Sequence, residues 1–145
     1  QKITVDQLGV DRFIGNGCLL DARNEPVITM KKEYESKVQE NDIVLLFTGF
    51  DRYFYHESYF TNHPVVDRSL AEFFVAKKIK LLGMDFPSPD RHPFEIHKML
   101  FQGNILILEN LKNLGLLMGS ERFEVITFPI KVKAEAGLVR VVARI

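Results

Sequence analysis

Three short apolar runs divide the chain and predict buried strands at 43–47, 79–82 and 105–108. The run at 43–47 is continuously apolar rather than alternating, which is typical of a strand covered on both faces. A briefer run at 18–20 predicts a strand that ends at Asp21. Because these strands alternate with helical segments, the pattern indicates a mixed α/β fold.

Helical periodicity fills three of the intervals between strands and predicts helices at about 29–38, 67–78 and 93–102. Asp67 is a favourable N-cap for the second helix, and Pro93 suits the first turn of the third. These helices would cover the sheet that the strands form.

The end of the chain has alternating character instead. Segments 122–132 and 139–145 predict two long strands, and a turn at 134–137 would join them into a terminal hairpin. Near the start, Thr4 opens a segment with capping-box spacing, which predicts a short helical turn. The sequence G-N-G at 15–17 predicts a further turn.

Length and charge limit the class of protein. The chain has 145 residues, of which 46% are hydrophobic, and this suits one domain over 1–145. Its 19 basic residues balance 19 acidic ones and form no basic stripe, which argues against nucleic acid or an anionic membrane as partner. The longest apolar run, 43–47, is too short to span a bilayer. We expect a cytoplasmic protein.

The single cysteine removes further options. Cys18 has no second thiol to pair with, so an internal disulfide and a Cys-based zinc cluster are excluded. Its neighbours are both leucine, and we interpret it as a small buried apolar residue rather than a nucleophile.

Candidate chemistry concentrates in the segment 83–113. Asp85 and Asp90 follow one predicted strand, His97 lies on the next helix, and Glu109 ends the following strand. A carboxylate and an imidazole can share a divalent cation or divide proton transfer. The simpler interpretations are turn carboxylates in a Pro-rich loop, a packed histidine, and a strand-end carboxylate that caps backbone amides.

Several motifs in this segment resemble one family. The sequence G-M-D-F-P-S-P-D at 83–90 is similar to the G-I-D-x-x-S-x-D segment of the cyclase family of metal-dependent hydrolases, which includes bacterial kynurenine formamidases (arylformamidases) and isatin hydrolases. His97 and Glu109, twelve residues apart, resemble the family's H…I-x-E-N-L-x-N-L segment. Three further matches, in the family's order, are L-L-F-T-G at 45–49, F-P-I-K-V at 128–132 and V-R-V-V-A at 139–143.

The resemblance implies a swivelling β/β/α fold and assembly into homo-oligomers. It also implies hydrolysis of amide or related C–N bonds in a small-molecule substrate, such as an aryl formamide or a cyclic amide, with zinc or manganese. His97 and Glu109 would be metal ligands. The substrate-binding candidates are the two loop residues Asp85 and Ser88 and three aromatic residues of an entrance or a subunit interface: Phe50, Tyr53 and Phe54.

The sequence departs from the family at its principal metal motif. No H-x-G-T-H-x-D is present, although in relatives it precedes a segment resembling I-T-V-D-Q-L at 3–8. We therefore expect an incomplete domain, cut at Gln1, with the general base in the absent motif and no catalytic residue assigned here. Because two protein ligands are too few for a tight metal site, we expect these residues to bind metal weakly or not at all and to show no measurable hydrolysis. The alternative is a catalytically dead scaffold or binding module on the same fold.

Overall fold

The computed structural model describes residues 3–145, so Gln1, on which the expectation of a cut edge rests, lies outside the described residues. A six-stranded mixed sheet forms the centre of the molecule. Its strands, in spatial order, are β6 (Leu106–Leu108), β5 (Leu81–Met84), β3 (Ile43–Phe47), β1 (Ile14–Asp21), β7 (Phe123–Ile126) and β8 (Val142–Arg144). The mixed α/β class is confirmed.

Strand direction decides where the loops meet. β1, β3, β5 and β6 are mutually parallel, with Leu45 opposite Gly83 and Gly83 opposite Leu108, whereas β7 and β8 are antiparallel neighbours at one side. The carboxyl ends of the four parallel strands therefore share one edge of the sheet, which is where α/β folds usually place their functional groups.

Both faces of the sheet carry an apolar core. Val44 and Leu46 point into a cluster completed by two helices, α2 (Arg68–Lys77) and α3 (Glu95–Gln102). Ile43 and Leu45 point to the opposite face, under a segment that includes the 3-10 turn Leu114–Leu117. The prediction of a strand covered on both faces is thus confirmed for β3.

Short elements complete the fold. A four-residue helix, α1, spans Tyr34–Lys37, and a separate two-stranded parallel sheet pairs β2 (Val27–Ile28) with β4 (Val65–Val66). The remaining 3-10 turns are Val5–Gln7, Val10–Phe13, Phe50–Tyr53 and Glu57–Phe60. Within residues 3–145, no helix is long and apolar enough to cross a membrane.

Local signals predicted two elements correctly. The Asp67 side chain accepts a hydrogen bond of 3.0 Å from the Leu70 amide and begins α2, as its N-cap preference indicated. The turn near Thr4 is also present, with its amide donating to Gln7 Oε1 at 3.1 Å. Each signal is satisfied by a hydrogen bond between residues three positions apart.

The turn predicted at 15–17 is wrong, because these residues lie inside β1. A Cβ at Gly17 would stand 2.8 Å from Val125 Cγ2 and 2.9 Å from the Ile43 backbone oxygen. Glycine is therefore used here for close approach of the neighbouring strands rather than for a turn.

The helix predicted at 29–38 is reduced to α1, because tertiary contacts hold its first half in another conformation. Ile28 pairs with Val66, and the Met30 amide donates to Ser69 Oγ at 3.2 Å.

The terminal hairpin is present but shorter than predicted. β7 and β8 pair over three residues, and beyond them only an isolated bridge joins Pro129 to Val139. At this bridge the Ile130 amide donates to the Leu138 oxygen at 3.2 Å.

Cys18 is expected to be unreactive in the folded protein. Its side chain is buried, and burial first and the nearby Asp42 second raise the pKa of the thiol to about 12. Since the thiolate is the reactive form, an aromatic disulfide reagent at pH 8 should leave native protein unmodified and titrate one thiol in urea. Stoichiometric reaction of the native protein within minutes would contradict this burial.

Candidate functional site

Three residues of the candidate segment, together with Thr48, lie around the carboxyl edge of the sheet. Asp85 directly follows β5, Glu109 directly follows β6, and Thr48 directly follows the adjacent β3. His97 lies in the first turn of α3, which returns the chain between β5 and β6. Strand order therefore places the two acidic residues side by side and the helix above them.

His97 and Glu109 meet, as their assignment to one metal site by the family resemblance implied. His97 Nε2 is 3.4 Å from Glu109 Oε1, and the two side chains are 22% and 33% exposed. A hydrogen bond with Glu109, ahead of any other cause, raises the pKa of His97, while burial opposes the shift and Asp90 adds to it. The pair is accessible to a ligand yet coupled electrostatically.

Asp90 fixes the orientation of His97. Its Oδ1 is 2.5 Å from His97 Nδ1, so the ring nitrogen that faces Asp90 is the one that carries hydrogen. Its Oδ2 accepts hydrogen bonds from the Ile96 amide at 2.6 Å and the His97 amide at 3.3 Å. One carboxylate thus caps α3 and aims His97 Nε2 at Glu109.

The start of α3 explains why Asp90 has this capping role. Pro93 was predicted in the first turn, but the helix begins at Glu95, because Phe94 adopts a left-handed conformation with φ 62°. Phe94 supplies no side-chain cap, so the helix amides are open to Asp90. The simpler interpretation of Asp90 as a turn carboxylate is therefore incomplete, and the signal for its capping role is the absence of a capping side chain at position 94.

Ser88 supports the same loop. Its hydroxyl donates to the Asp90 backbone oxygen at 2.6 Å. This contact shapes the chain around Asp90, and the role of Ser88 in substrate binding stays a prediction.

Asp85 is fully buried and connects two strand ends. Its carboxylate accepts from the Thr48 hydroxyl at 2.5 Å, from the Thr48 amide at 3.0 Å and from the Gly49 amide at 2.7 Å. Burial raises the pKa of Asp85, and these hydrogen bonds oppose the shift. Its oxygens are thus occupied by the chain itself, and substrate binding by Asp85 stays a prediction.

The three aromatic candidates lie elsewhere along the same edge. Phe50 and Tyr53 line a cavity of about 280 Å³ together with Thr48. Phe54 packs edge-on against Tyr59, with ring centroids 5.3 Å apart. The structure does not place these rings in the cavity that His97 and Glu109 line, and their role in substrate binding stays a prediction.

The cavity beside His97 and Glu109 has mainly apolar walls. It measures about 280 Å³, and its lining includes Phe13, Phe101 and Leu108 as apolar residues and Thr127 and Glu135 as further polar ones. The Phe101 ring is 57% exposed and lies 6.0 Å from the His97 ring, measured between centroids. Phe101 was not among the sequence candidates, because an aromatic residue on an amphipathic helix is more often core.

The side chains of His97 and Glu109 are suited to form part of a metal site. A neutral imidazole whose other nitrogen is held by a carboxylate is the usual form of a histidine ligand, and a carboxylate oxygen faces it. With hydrogen on Nδ1, both His97 Nε2 and Glu109 Oε1 present lone pairs, which a shared cation or proton would bridge. Over residues 3–145, no group of three or more His, Cys, Asp or Glu side chains is arranged to hold a metal ion.

Sequence comparisons point to one family. A family model described as "Putative cyclase" matches residues 1–91. An uncharacterized protein of Methanocaldococcus jannaschii is 34% identical over 110 residues, which cover 74% of this chain and 56% of the relative. The chain therefore spans little more than half the length of that relative.

Structural comparisons show the same fold. A crystal structure of an isatin hydrolase bound to the product analogue thioisatinate superposes with a TM-score of 0.86 at 21% identity, over 98% of this chain and 64% of that one. Isatin hydrolase A from Ralstonia solanacearum gives 0.86 at 19% identity, over 99% and 64%. A potential metal-dependent hydrolase with cyclase activity gives 0.77 at 23% identity, over 92% and 66%.

Proposed function

Because the chain belongs to the cyclase family, we propose that its protein is a metal-dependent hydrolase of amide or related C–N bonds, with His97 and Glu109 as metal ligands. The observation that carries the proposal is the approach of His97 Nε2 to Glu109 Oε1, at 3.4 Å, beside an apolar cavity. The names of the structural neighbours, which include metal-dependent hydrolases, support the reaction class.

The side chains of this chain have separable tasks in that reaction. Glu109 and His97 would hold a divalent ion such as zinc or manganese, which supplies Lewis acidity for the substrate carbonyl and for water when bound. Asp90 keeps hydrogen on His97 Nδ1 and leaves Nε2 as the donor atom. Phe13, Phe101 and Leu108 give this side of the cavity apolar walls, which lower the local polarity around the two ligands.

Two donors are fewer than the three protein ligands of a typical catalytic zinc site, so we expect weak binding by these two residues alone. NMR with Mn²⁺ detects such weak binding well, because the paramagnetic ion broadens the signals of nearby nuclei. At substoichiometric Mn²⁺, amide signals around His97 and Glu109 should broaden first. The Glu109→Ala variant should need at least about tenfold more Mn²⁺ for the same broadening.

A matched control separates a specific site from general attraction to carboxylates. Glu72→Ala removes an exposed carboxylate of α2 and should leave the Mn²⁺ response unchanged. Equal broadening in Glu109→Ala and the parent would contradict the metal assignment and favour a scaffold or binding module on the same fold. Turnover of an aryl formamide is expected only where the missing metal ligands are supplied, and it should then depend on Glu109; residues 1–145 alone should show no measurable hydrolysis.

A further inference from the structure

An aromatic segment between β3 and β4, residues 50–60, surrounds one buried tyrosine. Tyr59 is 0% exposed, with the Phe50 ring stacked at 5.5 Å and the Phe54 ring edge-on at 5.3 Å. Neighbouring rings therefore hold the phenol in place, and its hydroxyl has a defined direction.

The hydroxyl of Tyr59 reaches the residue that follows Glu109. Tyr59 Oη donates to Asn110 Oδ1 at 2.9 Å, across 51 positions of sequence. Burial first, and then the charges of Asp85, Asp51 and Glu109, raise the pKa of Tyr59 to about 12, so the phenol keeps its hydrogen. Asn110 has a φ of 62°, a left-handed conformation that asparagine tolerates better than most residues.

The backbone of the same turn is bonded to the strand end beside it. The Asn110 amide donates to the Phe86 oxygen at 3.2 Å, and the Leu111 amide donates to the Met84 oxygen at 2.9 Å. These bonds fix the turn relative to β5, while the Tyr59 hydroxyl holds the side chain of Asn110.

Two further sets of contacts join the aromatic segment to the residues after Asn110. Lys112 Nζ lies over the Phe54 and Tyr55 rings, 5.3 Å and 5.2 Å from their centroids. The Asn113 amide donates to Asp51 Oδ2 at 3.4 Å. The aromatic segment therefore touches three of the four residues that follow Glu109.

We propose that Tyr59 is a positioning residue for Glu109, acting through its hydrogen bond to Asn110. The inference rests on the proposed function for what Glu109 binds. A buried tyrosine hydroxyl needs a partner in any case, but here the partner is the side chain next to the ligand carboxylate rather than a nearby carbonyl. The aromatic segment thus fixes the turn after β6 and, through it, the orientation of the Glu109 side chain.

The test compares Tyr59→Phe with Tyr55→Phe, each of which removes one hydroxyl and keeps the ring. Tyr55 is 88% exposed and lies on the same segment, so it is a matched control. In Tyr59→Phe, hydrogen exchange at the Asn110 and Leu111 amides should accelerate about fivefold, the loss expected for one hydrogen bond. The Mn²⁺ concentration for half-broadening around Glu109 should rise about tenfold. Tyr55→Phe should change neither.

The outcomes are distinguishable because exchange is measured without metal. Unchanged exchange at Asn110 and Leu111, or an unchanged Mn²⁺ response where the parent shows a Glu109-dependent one, would overturn the positioning role. Equal acceleration at Leu82 in β5 would also overturn it, because the tyrosine would then act on global stability alone. If the parent shows no Glu109-dependent broadening, the proposed function fails, and local exchange still decides whether Tyr59 holds the turn.

Discussion

Replacing Asp85 with alanine is expected to lower the free energy of unfolding by about 3–5 kcal/mol. The substitution leaves the Thr48 hydroxyl and the amides of Thr48 and Gly49 without their acceptor in a buried place. Each unsatisfied buried donor costs about 1–3 kcal/mol. The loss also frees the start of the aromatic segment, since Gly49 leads directly into the 3-10 turn Phe50–Tyr53.

Urea unfolding followed by far-ultraviolet circular dichroism measures this effect, because the chain has no tryptophan for fluorescence. Asp21→Ala is the matched control, since Asp21 also ends a parallel strand but is exposed and paired with Arg23. It should cost less than about 1 kcal/mol. Asp85→Asn should lie between Asp85→Ala and the parent, because its amide oxygen can still accept from Thr48 while its amide nitrogen cannot accept from Gly49. A loss below 1 kcal/mol for Asp85→Ala would show that the three donors find other partners.

Replacing Asp90 with alanine is expected to weaken Mn²⁺ binding at His97 and Glu109 by about 10–100-fold. His97 would lose the contact that holds hydrogen on Nδ1, so its ring could rotate or exchange tautomers. The amides of Ile96 and His97 would also lose their cap, which costs stability of about 1–2 kcal/mol.

Asp67→Ala separates these two effects, because Asp67 caps α2 without touching the candidate site. It should lose about 1 kcal/mol of stability and leave the Mn²⁺ response unchanged. Equal Mn²⁺ responses in Asp90→Ala and Asp67→Ala would mean that Asp90 is only a helix cap.

The site was partly predictable from its motifs. Position in the predicted elements makes both Glu109 and His97 candidates, and the resemblance assigns the pair to one metal site. Their contact depends on α3 folding back over β6, and a spacing of twelve residues does not specify that path. Asp90 was interpreted as a turn residue because its partners, the amides of Ile96 and His97, become free only when Phe94 interrupts the helix.

What the sequence by itself determined is the set of elements with strong local signals. The apolar run of β3 and the cap at Asp67 act within a few residues, and both elements formed as expected. Tertiary structure alone decided that Gly17 lies in a strand, that most of 29–38 is not helical, and that Tyr59 reaches Asn110. These outcomes depend on strands and side chains far apart in sequence, whose packing outweighs local propensities of a few tenths to about 1 kcal/mol per residue.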